Sequence, residues 1–320
     1  MKNWAFMAAL AAFMFLVGCS QPAPAPATAA PAGGEKTAPA KGGKRIGAAL
    51  LTQTHVFYQD MIKAMQAECA KEGFTLDLQV AEFDSRKQND QIETLVAQGV
   101  AALLVAPVDS AAMGPAIESA KAKNIPVFTV DIAAHGVEVT SHIASDNEKG
   151  GRLLGEYLAK LLDGKGKVAI IDDPIHASVQ ERTKGFVDAI AKFPGIQIVQ
   201  RPDGQGQRDK ALRVAQDLLQ AQPDLNAIFG INDDSALGAL AAVESAGLDK
   251  KIIILGFDGT PEAREAIKAG RALKADAVQF PDRIGQRAVE FVAKVLKGES
   301  VPKVAAVDME VIDAASLAGK

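Results

Sequence analysis

Residues 252–278 read IIILGFDGTPEAREAIKAGRALKADAV: a β-branched apolar run closed by Asp258-Gly259, a helical segment, and a second apolar run. Each run is continuous rather than alternating, which is the mark of a strand covered on both faces in a parallel sheet. The same rhythm extends back to Arg45. RIGAALL (45–51), TLDLQVAE (75–82), ALLVAP (102–107) and PVFTVD (126–131) are separated by helical patterns near 57–72, 86–98 and 111–123. HIASD (142–146) leads into a further helix, and the rhythm restarts with KVAIID (167–172), IQIVQRP (196–202) and AIFGIN (227–232). Two α/β sheets are implied, each a doubly wound parallel sheet. No helix-turn-helix pattern precedes the first strand.

The bulk composition fits this reading and narrows the function. At 320 residues, 48% apolar and 23% charged, the chain can bury two cores. Its 35 Lys and Arg against 39 Asp and Glu are scattered, so no basic stripe exists to neutralise a nucleic-acid backbone. Two cysteines and four histidines form no CxxC, HExxH or ligand-spaced pair, so neither a metal nor any other cofactor is expected. Trp4 is the single tryptophan, and Tyr58 and Tyr157 are the two tyrosines, so ring stacking on a ligand falls mostly to phenylalanine.

The first forty residues carry a different signal. Lys2 precedes an uncharged apolar run from Trp4 to Val17, the length of a secretory signal core and too short for a permanent span. Its ending, Leu16-Val17-Gly18-Cys19, resembles a bacterial lipobox. The resemblance implies a signal peptide over 1–18, lipid on Cys19, and an extracytoplasmic, membrane-anchored protein. Residues 19–43, rich in Gly, Ala and Pro, then read as a disordered tether. Cys69 follows Met61 and Met65 at helical spacing and is expected to be an inert core thiol.

In open parallel sheets, ligands are met just beyond the carboxyl ends of strands. Those positions hold Thr52 to Tyr58, Pro107-Val108-Asp109, Asp131, Asn232-Asp233, Phe257-Asp258-Gly259 and Gln279, and Arg182 begins the first long helical region of the second half. Planar carboxylate, amide and guanidinium groups can bond two adjacent hydroxyls, and Phe or Tyr can cover the C–H face of a sugar ring. Asn232, Asp233 and Asp109 could equally be helix caps or loop residues. His55 could meet a ligand hydroxyl or cap the helix after it, whereas His135, His142 and His176 read as surface or structural residues. Gly204-x-Gly206 lacks the third glycine and distant acid of a dinucleotide site.

PVFTVD, SHIASDN (141–147), INDDSALGAL (231–240), GFDGTPEAREAI (256–267) and VQFPDRIG (278–285), in this order, resemble the ribose/galactose-type periplasmic binding proteins of ABC importers, from about Lys44 to Asp313. The resemblance implies two similar doubly wound parallel-sheet domains joined by a three-strand hinge, the type I periplasmic binding protein fold. One domain would comprise 44–145 plus 280–308, the other 146–279 plus 309–320. It places Phe57 and Tyr58 against a ring face, Asp131, Arg182, Asn232, Asp258 and Gln279 as hydrogen-bonding groups, and Phe257 as added wall. The implied protein is a monomer that hands a monosaccharide or polyol to a membrane permease, or signals it to a chemoreceptor or sensor kinase. It would not be an enzyme. Three departures count against ribose as ligand: Ile132 where the pattern has arginine, His55 where it has asparagine, and Leu51 where it has serine. Gly204-Gln205-Gly206 further stands where a second-domain aromatic is usual.

Overall fold

A computed structural model describes residues 43–319; the signal and tether readings, with Cys19, lie outside the described residues. The first half runs β1 (Arg45–Leu50), α1 (Val56–Lys71), β2 (Thr75–Val80), α2 (Ser85–Ala97), β3 (Ala102–Val105), α3 (Gly114–Ala122), β4 (Val127–Val130) and β5 (Ser141–Ser145). The second runs α4 (Asn147–Leu161), β6 (Lys165–Ile171), α5 (Ala177–Ile190), β7 (Gly195–Gln200), α6 (Arg208–Ala221), β8 (Ala227–Gly230), α7 (Asp233–Ser245), β9 (Ile253–Asp258), α8 (Pro261–Lys268) and β10 (Leu273–Val278). The chain then returns through α9 (Pro281–Leu296) and β11 (Val304–Val307) to β12 (Glu310–Asp313) and α10 (Ala314–Ala318).

Two six-stranded sheets result, ordered β11-β5-β4-β3-β1-β2 and β12-β10-β9-β8-β6-β7. All pairings are parallel except β10 with β12. The chain crosses between the sheets three times, after β5, after β10 and between β11 and β12, which is the three-strand hinge of a type I periplasmic binding protein fold. The strands β11 and β12 carry no strong sequence signal: each has four residues at a sheet edge, and one buried position in β12 is flanked by partly exposed ones.

Burial on both strand faces follows from the continuous apolar runs. Ile46, Ala48, Leu50, Leu104 and Phe128 pack with Met61 and Met65 of α1 and Val292 of α9, while Ala49, Leu103 and Val105 pack with Ile92 of α2 and Ile117 of α3. In the second sheet Ile228, Ile254 and Leu273 meet helices α6 to α8, and Val168, Phe229 and Leu255 meet Leu154 of α4 and Phe186 of α5. Phe186 and Phe229 stack at 4.6 Å. Cys69 is buried beside Met65, and burial pushes its thiol up to about 11, so it is unreactive near neutral pH.

Candidate functional site

The loops that leave the carboxyl ends of the two sheets face each other across one small cavity. From the first half it is lined by Leu51, His55, Phe57, Tyr58, Phe83, Asp131 and Ile132; the second half adds Asp173, His176, Ser178, Arg182, Gln205, Asn232, Asp258 and Gln279, among others. Its volume is about 50 Å³. That is several times the roughly 10–15 Å³ one water needs, so the space takes a single small molecule rather than a chain of linked rings.

Phe57 and Tyr58 occupy the first turn of α1, with their rings 5.4 Å apart and edge-to-face at 75°. The Tyr58 hydroxyl donates to Asp131 Oδ2 at 2.7 Å, so this residue does more than offer a ring face. Burial, then Asp131, pushes the Tyr58 phenol well above its ordinary range, and it remains a donor at any working pH. Asp131 directly follows β4 with a φ of 63°, a left-handed conformation that aspartate tolerates better than most residues. Burial also raises its carboxyl, against the opposing pull of the Tyr58 hydrogen bond and the Arg182 and His176 charges.

Arg182 lies inside α5 rather than at the start of the half's first helix, and it is 4% exposed. It donates from Nη1 to the Ile231 carbonyl at 2.7 Å, from Nη2 to Asn147 Oδ1 at 2.9 Å, and from Nε to the Ser178 carbonyl at 3.3 Å. Close packing of α4 on α5 makes the Asn147 contact possible. A Cβ at Gly151 would stand 1.8 Å from the Arg182 carbonyl oxygen, so only glycine allows the helices to approach this far. Burial draws the guanidinium's affinity for its proton down, and Asp258 and Asp131 offset only part of that.

Phe257 corrects an expectation. It is fully buried in the second core and does not line the cavity; its ring lies 3.9 Å beneath the Arg182 guanidinium as a cation–π platform. Strand alternation explains this, because Asp258 points to the cavity and its neighbour must point away. Asp258 accepts from Gln279 Nε2 at 2.7 Å, and burial, then Asp233, lifts its carboxyl well above the usual range.

Asn232 is both a helix cap and part of the cavity lining. It caps α7 by accepting from Ser235 N at 2.9 Å, it donates from Nδ2 to the Gly206 carbonyl at 3.0 Å, and its side chain still lines the cavity. Asp109 is a turn residue, accepting from Ala111 N at 2.8 Å, and stands outside the cavity. His55 precedes α1 but makes no capping bond. Its Nε2 reaches across to Asp234 Oδ2 of the second half at 3.5 Å, and burial keeps its ring below the ordinary imidazole range while Asp234 pulls it up. A second contact across the cleft runs from Ala177 N to Ser110 Oγ at 2.9 Å.

His176 is the main residue that sequence reasoning misplaced. It is 4% exposed in the cavity wall, with Nδ1 2.8 Å from Asp173 Oδ2 and with Nε2 unpartnered among the described residues. Its location in the segment leaving the carboxyl end of β6 is the signal that could have found it. His142 and His135 are structural and exposed respectively. The His142 ring meets Thr129 Oγ1 at 2.9 Å, and burial lowers it to about 4. Among the described residues no cluster of three or more His, Cys, Asp or Glu side chains could hold a metal ion.

Planar acceptors and donors around one small cavity, with aromatic rings on one wall, suit a polyhydroxylated ring. Residues 46–300 match the family described as a periplasmic binding protein domain. The chain belongs to that family. This periplasmic binding protein is 38% identical over 259 residues to the ribose import binding protein of Bacillus subtilis, covering 81% of this chain and 83% of that one. It superimposes with a TM-score of 0.80, at 30% identity, on an ABC transporter periplasmic solute-binding protein from Actinobacillus succinogenes with bound D-allose, covering 87% of this chain and 100% of the other. It also resembles the fructose-binding periplasmic domain of a hybrid two-component system, with a TM-score of 0.82 at 27% identity over 86% of this chain and 92% of that one.

Proposed function

We propose that this periplasmic binding protein is the lipid-anchored receptor of an ABC importer, holding one monosaccharide or polyol between its two domains and delivering it unchanged to a membrane permease. The observation that carries this reading is the convergence of Asp131, Arg182, Asp258 and Gln279, from both halves, on a cavity walled by Phe57 and Tyr58. The ribose import relative and the D-allose complex support a sugar as cargo. The domains are read as 44–145 plus 280–308 and 146–279 plus 309–320, the protein as a monomer outside the cytoplasm, and Cys19 as the lipid attachment. A thermal-shift screen of the protein against D-ribose, D-allose, other pentoses and hexoses, and polyols tests the assignment. A ligand at about a hundred times its dissociation constant adds roughly 2.7 kcal/mol to stability. No shift with any of them, or chemical conversion of the one that binds, would overturn it.

A second reading is a sugar sensor feeding a chemoreceptor or kinase, and it is favoured by the likeness to the fructose-binding domain. Permease and ATPase genes beside this one support import, whereas a sensor-kinase gene supports signalling.

The cavity also favours a ligand other than ribose. Leu51 and Ile132 line it with apolar surface, and among the described residues Arg182 is its one arginine. A ring or chain that turns a C–H or methyl face to that corner fits better than one with hydroxyls there.

A further inference from the structure

Behind Asp258 lie two carboxyl groups that do not line the cavity, Asp233 and Asp276. Asp233 opens α7 and is 2% exposed; Asp276 stands in β10 opposite Gly256 of β9 and is fully buried. One oxygen of each is satisfied by the turn after β9, since Asp233 Oδ2 accepts from Thr260 N at 2.7 Å and Asp276 Oδ1 from Gly259 N at 3.0 Å. The other two, Asp233 Oδ1 and Asp276 Oδ2, have no hydrogen-bond partner among the described residues. Both converge over Gly256, where a Cβ would lie 2.7 Å from the first and 2.5 Å from the second. The missing side chain at 256 is the space in which the two carboxyls meet.

Two ionised carboxylates side by side and away from water would repel, and each would keep an oxygen without a donor. A single proton between them removes both costs. We propose that Asp233 and Asp276 share one proton, and that the joined pair clamps the Gly259-Thr260 turn and so positions Asp258 toward the ligand. The functional part of this inference rests on reading Asp258 as a ligand group; the shared proton does not. Asp258 sits directly before the clamped turn with a φ of 137°, a conformation that surrounding contacts must hold in place.

The charged surroundings favour retention of the proton. Asp258 faces both carboxyls and Asp234 faces Asp233; Arg182 is directed at Asp258, Arg208 at Asp234, and Arg264 Nε at the Gly259 carbonyl oxygen at 2.7 Å. The neighbouring strand β12 places uncharged Ile312 opposite Asp276. Burial, followed by mutual repulsion, raises Asp276 well above the usual carboxylate range, and burial raises Asp233. A carboxyl whose value is raised in the folded state binds its proton more tightly there. Stability from the pair is therefore present at acid pH and lost as pH rises from the carboxylate range through the raised value.

The test uses the full chain without ligand. In the parent protein, the infrared band of a protonated carboxyl should persist to neutral pH, and the Gly259 and Thr260 amide resonances should move together as pH rises from about 5 to about 9. Asp276→Asn keeps the acceptor for Gly259 N and presents a permanent amide donor to Asp233. It should remove the pair's share of the band, seen in the parent-minus-variant difference spectrum, and hold both amides still. Asp233→Asn, with the donor on the other side, should do the same and serves if the first variant fails to fold. A parent protein with no such band at neutral pH, or amides that titrate identically in parent and variants, would overturn the proposal. A chain that bound no sugar would refute the receptor reading and leave these readouts decisive.

Discussion

Tyr58 donates its phenolic hydrogen to Asp131 across 2.7 Å, in a region where both residues are buried. The bond satisfies a carboxylate whose neighbour, Ile132, can offer no donor, and it is made by a residue whose ring also faces the cavity. Tyr58→Phe keeps the ring and removes the donor. A buried hydrogen-bond partner of a charged group contributes about 1–3 kcal/mol, so affinity for the ligand found by screening should fall roughly five- to hundredfold in calorimetric titration. Unchanged affinity would mean that Asp131 does not contact ligand.

Arg182 and Asp258 should both prove essential to binding, and Arg182 more costly to fold without. Losing a buried charged partner costs about 2–5 kcal/mol of affinity. Arg182→Ala also leaves the Ile231 carbonyl and Asn147 without their donor and exposes the Phe257 ring, so its denaturant midpoint should drop further than that of Asp258→Ala. Folded alanine variants that bind as tightly as the parent would place the ligand elsewhere.

Ile132 sets specificity in the third prediction. It is 3% exposed in the cavity wall, and Ile132→Arg adds a planar donor beside Asp131 at the expense of the apolar corner. D-ribose affinity should rise and that of the native ligand fall by overpacking, each measured in parallel by calorimetry. Tight ribose binding by the parent protein would refute this account of the corner.

His142 predicts an acid limb in stability. Its ring titrates near 6.5 when unfolded and near 4 in place, so the unfolded state binds the extra proton first and stability falls as pH drops from about 6.5 to about 4. For this half-buried ring the loss is on the order of 2 kcal/mol. His142→Gln should flatten that limb in urea melts taken across the range; an unaltered limb would assign the loss to other groups.

Cys19→Ala should abolish incorporation of labelled lipid and leave the precursor unprocessed. Continued lipid labelling and membrane partitioning of the variant would refute the anchor.

How much of this could be read from the sequence depended on how local each cause was. Continuous apolar runs such as IIIL and AIFG bury both strand faces by themselves, so the paired parallel sheets were legible, as were the polar residues that follow each strand. The short edge strands β11 and β12 depend on neighbours distant in sequence. His176 looked isolated because its company, Asp173 and the cavity beyond, is assembled only when the β6–α5 segment turns inward. Phe257 was legible as a ring but not as a support, since its partner Arg182 lies on another element. The donor that Ile132 withholds from Asp131 is supplied in part by the Tyr58 phenol, which sequence reading had assigned to a ring face and which acts through its hydroxyl.

The cavity's two walls are chemically unlike. Leu51, Phe57, Phe83 and Ile132 all belong to the first half, while the second contributes mainly amide, carboxylate, imidazole and guanidinium groups. Any parting of the halves wets the same apolar slab whatever sugar is involved, and each closure dries it again. Binding should therefore carry a negative heat-capacity change nearly constant from ligand to ligand, with selectivity expressed in enthalpies that vary with the pattern of hydroxyls offered to Asp131 and to the polar groups of the second half.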